Sequence, residues 1–128
     1  MRNLKVKVKS AKGRSISSTR WLQRQLNDPF VKEAKLQGFR SRSAFKLIEI
    51  NNKFNLLKKG HNVLDLGCAP GGWCQVAAQK VSVKSSEELV VGLDLKSCEP
   101  IVGVKFFEID FLDEMQFLEF ENSLNTKF

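Results

Sequence analysis

The chain has 128 residues, room for one domain with a modest core, and no apolar run approaches the roughly 20 residues that span a bilayer. Three cysteines (Cys68, Cys74 and Cys98), a single histidine (His61) and no C-x-x-C exclude a disulfide framework and a structural zinc; reduced thiols in a cytoplasm and no metal are expected. The net charge of +7 is unevenly spread: residues 1–60 hold 16 Lys/Arg against 3 Asp/Glu, residues 61–128 hold 5 against 11, and no acidic residue precedes Asp28. That asymmetry reads as a basic face for a polyanion joined to an acidic or neutral cofactor half, and nucleic acid explains it better than a membrane surface.

Residues 1–17 form a Lys/Arg/Ser-rich tail, expected to be flexible, that begins with an alternating Leu-Lys-Val-Lys-Val-Lys. A helical segment over 18–60 follows. Within it, Asp28-Pro29 is a helix start, because aspartate caps free N–H groups and proline suits the first turn, and Gly38 ends that helix. A basic link, Gly38 to Ser43, leads to a second helix over about 43–52, with Phe45, Leu47, Ile48 and Ile50 at helical spacings. Residues 61–128 then alternate between strand and helix. Strands are predicted over 61–66, 89–95 and 104–109, the first apolar enough to be buried on both faces. Helices are predicted from Trp73 to about Val81 and from about Asp113 to Leu124. Such alternation implies an α/β domain with a parallel sheet and right-handed crossovers.

In an open parallel sheet, ligands bind beyond the carboxyl ends of the strands. The first strand delivers Gly67-Cys68-Ala69-Pro70-Gly71-Gly72-Trp73, a strand–loop–helix turn that brings backbone N–H groups against a small polar ligand. The second delivers Asp94, 27 positions after Gly67, suited to ribose hydroxyls; the third delivers Asp110, suited to an adenine amino group. The dinucleotide fingerprint G-x-G-x-x-G is not met, since its second glycine is absent and a proline stands inside the loop. S-adenosylmethionine has no phosphate to cradle, and the loop fits that smaller demand better.

With these residues the chain resembles the FtsJ/RlmE-type ribosomal RNA 2′-O-methyltransferases. The match is carried by Ser18-Thr19-Arg20-Trp21-Leu22, by Gly38-Phe39-Arg40-Ser41-Arg42-Ser43-Ala44-Phe45-Lys46-Leu47, by Asp65 to Trp73, and by Pro100 to Val104 with Asp110-Phe111. It implies the N-terminal half of a Rossmann-like methyltransferase sheet preceded by basic helices, with S-adenosylmethionine as cofactor and large-subunit ribosomal RNA as partner. It further implies a donor site using Gly71, Trp73, Asp94 and Asp110, and Lys46 as first member of a Lys-Asp-Lys-Glu catalytic set. Arg20, Arg40 and Arg42 would hold RNA phosphates and position the acceptor ribose. Trp73 could equally be plain core, and Trp21 is expected to pack against the sheet rather than stack on a base.

Transfer of a methyl group from a sulfonium to a 2′-hydroxyl needs oriented reactants and loss of the hydroxyl proton. A lysine can serve as a base of lowered pKa, or stay charged and stabilise the developing alkoxide. The resemblance calls for a fourth strand and the rest of the catalytic set after Asp110, and these are not in the sequence. Three readings follow: a truncated enzyme, half of a split enzyme completed by a second chain, or a non-catalytic RNA- or cofactor-binding fragment. The first strand would then present an unpaired apolar edge.

Overall fold

A computed structural model describes residues 15–84 and 87–124, together with Lys7, Lys12 and Gly13. The alternating start of the tail lies outside the described residues. Three helices come first: α1 (Ile16–Asn27), α2 (Pro29–Leu36) and α3 (Ser43–Phe54). The Ser15 hydroxyl accepts the Ser18 N–H at 3.1 Å and caps α1. No α1 residue is buried, although the helix is amphipathic in sequence. Asp28 caps α2 through Oδ1, accepting from the N–H of Phe30 at 2.8 Å and of Val31 at 3.4 Å, with Pro29 in the first turn.

The α/β part comprises β1 (Val63–Leu66), α4 (Gly72–Val81), β2 (Val90–Asp94), β3 (Val104–Glu108) and α5 (Glu114–Ser123). The strands are parallel in the order β1-β2-β3; Val63 stands beside Val90, and Asp94 beside Glu108. Helix α4 is the crossover from β1 to β2. Between β2 and β3 there is no helix, only a loop bearing Pro100 and the positive-φ Gly103.

Because alternate strand residues face opposite ways, β2 feeds two cores. Val90 packs with Cys68, Cys74, Ala77, Ala78 and Val81 beneath α4. Val91 and Leu93 pack with Phe120 of α5, where Phe107 and Phe120 meet edge to face at 5.0 Å. Helix α3 joins α4 through Ala44, Leu47 and Val76. The architecture is the N-terminal part of a Rossmann-like α/β fold, as expected.

One expectation for β1 is not met. Its residues are partly exposed rather than buried on both faces, since among the described residues only β2 pairs with it. An apolar groove of about 390 Å³, lined by Leu47, Val63, Leu64 and Trp73 among others, runs beside it. Trp21 is also not packed into the sheet: it is 54% exposed on α1.

Candidate functional site

The loop after β1 turns back over the end of β2. The N–H groups of Gly67 and Cys68 donate to the Leu93 carbonyl at 2.7 and 3.1 Å, extending the β1–β2 pairing into the loop. Gly67 has φ 74° and Gly71 has φ 114°, backbone shapes that side-chain-bearing residues rarely adopt. At Gly71 there is also no room: a Cβ would lie 3.2 Å from Ile101 and 3.3 Å from the Arg40 guanidinium. Over Gly67 the space is open. The loop bounds a cavity of about 240 Å³ whose walls include Asp65, Gly67, Ala69, Gly72 and Trp73 from one side and Ser41 and Ser43 from the other.

The two serines were not singled out from the sequence. Their signal was weak, two hydroxyls in a basic link, yet the link folds onto the loop so that the Ser41 and Ser43 hydroxyls lie 2.6 Å apart at the cavity wall. A Cβ at Gly72 would come within 2.5 Å of Ser41 Oγ, so a side chain there would displace the Ser41 hydroxyl from its place. Trp73, 38% exposed, is not plain core: its indole N–H donates to the Ser43 carbonyl at 2.8 Å and ties α4 to α3.

Asp94 stands at the end of β2 as expected, and its carboxylate is already engaged. Oδ1 accepts the Lys96 N–H at 2.9 Å and Oδ2 the Ala69 N–H at 2.9 Å. These backbone donors hold its carboxyl below the usual range, Lys96 most strongly. Asp110 follows β3; its Oδ1 accepts the Leu112 N–H at 2.9 Å, and its own N–H donates to Gln116. The Ile109 N–H donates to the Asp94 carbonyl at 2.9 Å, so the two strand ends are neighbours.

Asp65, unassigned from the sequence, lines the cavity, and burial pushes its carboxyl up. The Cys74 thiol opposes that shift by donating to Asp65 Oδ2 at 3.2 Å, and the charge of Asp94 adds to it. Cys68 lies 3.8 Å from Cys98, sulfur to sulfur, and is pushed up to about 12, by burial first and by its thiol neighbour second.

The remaining sequence-derived candidates are dispersed. Lys46 is exposed on α3, one turn beyond Ser43 on the same side of the helix. Arg20 is exposed on α1, as is Arg24 one turn further on. Arg42 pairs with Asp28 Oδ2, and its guanidinium sits 5.2 Å from the Phe30 ring centroid. Arg40, half-buried, reaches to the loops after β1 and β2 and donates to three backbone carbonyls. Gly71 is not part of the cavity wall; a Cβ there would meet Ile101 and Arg40. Among the described residues no cluster of His, Cys, Asp and Glu is placed to hold a metal, and no helix is long and apolar enough to cross a membrane.

A parallel sheet that gathers a glycine-rich loop and two aspartates at its strand ends defines an α/β domain with a cleft where such sheets bind ligands. The profile described as FtsJ-like methyltransferase matches residues 39–128. The chain belongs to the FtsJ-like methyltransferase family. It is 54% identical over 118 residues to ribosomal RNA large subunit methyltransferase E of Ruegeria pomeroyi, covering 88% of this chain and 51% of that protein. It is 56% identical over 111 residues to the protein of the same name from Xanthobacter autotrophicus, covering 87% and 44%. A crystal structure of a protein from Plasmodium falciparum described as a ribosomal RNA methyltransferase superposes with a TM-score of 0.55 at 34% identity, covering 70% of this chain and 51% of that one. The chain thus spans about half the length of the curated relatives it matches.

Proposed function

We propose that these residues form the methyl-donor side of an S-adenosylmethionine-dependent enzyme that methylates ribose 2′-hydroxyls of large-subunit ribosomal RNA. The observation that carries this reading is the cavity shared by the Gly67–Gly72 loop and the Ser41/Ser43 wall, with Asp94 beside it and Lys46 one turn away. The donor set suits the cofactor: open space over Gly67, two hydroxyls and the Asp65 carboxylate meet an amino-acid moiety, while the N–H groups of Gly67, Cys68 and Ala69 are spent within the protein and form no cradle for a pyrophosphate.

When bound, S-adenosylmethionine supplies an electrophilic methyl group on a sulfonium. The protein's part is placement. Asp94 and Asp110 retain acceptor lone pairs for ribose hydroxyls and the adenine amino group. Trp73 walls the cavity and fixes α3 against α4, which sets where Lys46 stands. Lys46 meets the acceptor ribose and stabilises negative charge developing on its oxygen. Arg20 and Arg24, with the exposed part of Arg42, bind RNA phosphates.

Calorimetric titration with S-adenosylhomocysteine and with NADH tests the cofactor assignment. Saturable binding of the first and none of the second is expected; preference for NADH would overturn it. The relatives' name supports the RNA substrate, and gel-shift competition between ribosomal RNA and heparin-matched controls measures that part separately.

A further inference from the structure

Arg40 belongs to the basic link that the sequence assigns to RNA, but its surroundings are those of a structural clamp. One terminal nitrogen donates to the Pro70 carbonyl at 3.2 Å and to the Glu99 carbonyl at 2.5 Å; the other donates to the Pro100 carbonyl at 2.9 Å. Pro70 lies in the loop after β1, and Glu99 and Pro100 lie in the loop after β2. Three of the five guanidinium N–H donors are therefore spent joining the two loops that flank the cofactor cleft.

The clamp is itself aimed. The Arg40 N–H donates to Gln75 Oε1 at 2.8 Å, and Gln75 Nε2 donates to the Gly38 carbonyl at 3.0 Å, so α4 holds the turn from which Arg40 projects. Gly71 leaves the room: a Cβ there would press on the guanidinium at 3.3 Å. Arg40 makes no ion pair among the described residues. The guanidinium spreads its donors over a rigid planar fork, one nitrogen bridging the two loops and the other reaching Pro100, whereas a lysine gathers its donors on one flexible point and cannot reproduce both positions.

We infer that Arg40 is a positioning residue for the donor site, locking the Pro70 loop to the Glu99–Pro100 loop, and not an RNA phosphate contact. This rests on the donor-site reading above, and the two can fail separately. The test uses the 128-residue chain with Arg40→Lys and Arg40→Ala, measuring three quantities. These are S-adenosylhomocysteine affinity, the salt slope of ribosomal RNA binding, and amide hydrogen exchange over residues 67–72 and 96–101.

Both variants are expected to lose roughly tenfold in cofactor affinity, about the worth of one charge-assisted hydrogen bond. Both should exchange faster in the two loops and keep the wild-type salt slope. A phosphate contact behaves differently: Arg40→Lys would leave all three unchanged, and Arg40→Ala would lower the slope by about 1. Either of those outcomes overturns the inference, as does unchanged exchange in both variants. Wild-type protein that does not bind the cofactor defeats the donor-site reading instead, and the exchange data then decide on the clamp alone. Should Arg40→Ala fail to fold, Arg40→Lys still separates the two roles, because it keeps the charge and loses the fork.

Discussion

The Asp94 carboxylate accepts the amide hydrogen of Ala69 at 2.9 Å, so the end of β2 holds the loop that leaves β1. Its second oxygen holds Lys96. One side chain thus shapes the glycine-rich loop from within. Asp94→Ala should lower both cofactor affinity and melting temperature, while Asp94→Asn, which keeps one acceptor oxygen, should lose less of each. Differential scanning fluorimetry with and without S-adenosylhomocysteine reads both. Equal melting temperatures for the wild type and Asp94→Ala would show that the loop is held by other contacts.

The two aspartates near the cleft give opposite pH signatures. Asp65 is raised by burial, so its charged form is disfavoured in the fold. That penalty is present at neutral pH and is relieved as pH falls through the raised value toward the unfolded one, about 3.9. Asp94 is lowered, so its contribution is present above about 3.9 and is lost only as pH falls through the depressed value. The windows lie on either side of the unfolded value. Asp65→Asn should therefore raise stability at pH 7 and flatten the stability curve in mildly acidic solution. A variant less stable than wild type at pH 7 would mean that the Cys74 hydrogen bond outweighs desolvation.

Thiol reactivity should follow burial. Cys68 is pushed up to about 12, and Cys74 is raised as well, in both cases chiefly by burial, whereas Cys98 is partly exposed. Alkylation of native protein at pH 8 is expected to label Cys98 first, with Cys68 and Cys74 reacting only after denaturation. Peptide mapping by mass spectrometry checks the order; early labelling of Cys74 would contradict the packing around α4.

Gly92 is the point where β2, β3 and the cofactor loop come closest. A Cβ there would lie 2.8 Å from Cys68 Sγ and 2.9 Å from the Phe106 ring. Cys68 is buried in the core and Phe106 packs against it, so neither withdraws freely. Gly92→Ala should cost about 1–3 kcal/mol of overpacking. Urea denaturation would register it as a lower midpoint at unchanged slope.

The basic helices should make RNA affinity strongly dependent on salt. Arg20→Ala is expected to lower the slope of log affinity against log salt by about 1 and to leave cofactor binding unchanged. Fluorescence anisotropy across a salt series gives the slope. An affinity that does not respond to salt would remove the phosphate-binding role from α1.

The elements with strong local signals were legible in the chain itself. Asp28-Pro29 announces α2 because its capping chemistry acts over two or three residues, and the same holds for Asp113 before α5. The apolar runs at Val63 and Val90, the glycine loop between them and the charge asymmetry likewise need only neighbouring residues to be read. Helix α1 escaped delimitation although its sequence is amphipathic: it buries no residue against the rest of the fold, and its Ser15 cap is one of several serines in a basic run.

Longer-range facts were out of reach for a corresponding reason. Periodicity states which face of an element is apolar, but not which distant atom will accept a hydrogen bond. Arg40 finds its carbonyls 30 to 60 residues away, Trp73 finds Ser43 30 residues back, and Cys98 reaches Cys68 across the same span. An arginine in a basic link looks the same in sequence whether it faces a phosphate or a carbonyl. Chemistry along the chain announced a methyl-donor domain with a basic approach. Only the packing of α3 on α4, and of one strand end on the next, decided which polar groups face the cleft and which hold it in shape.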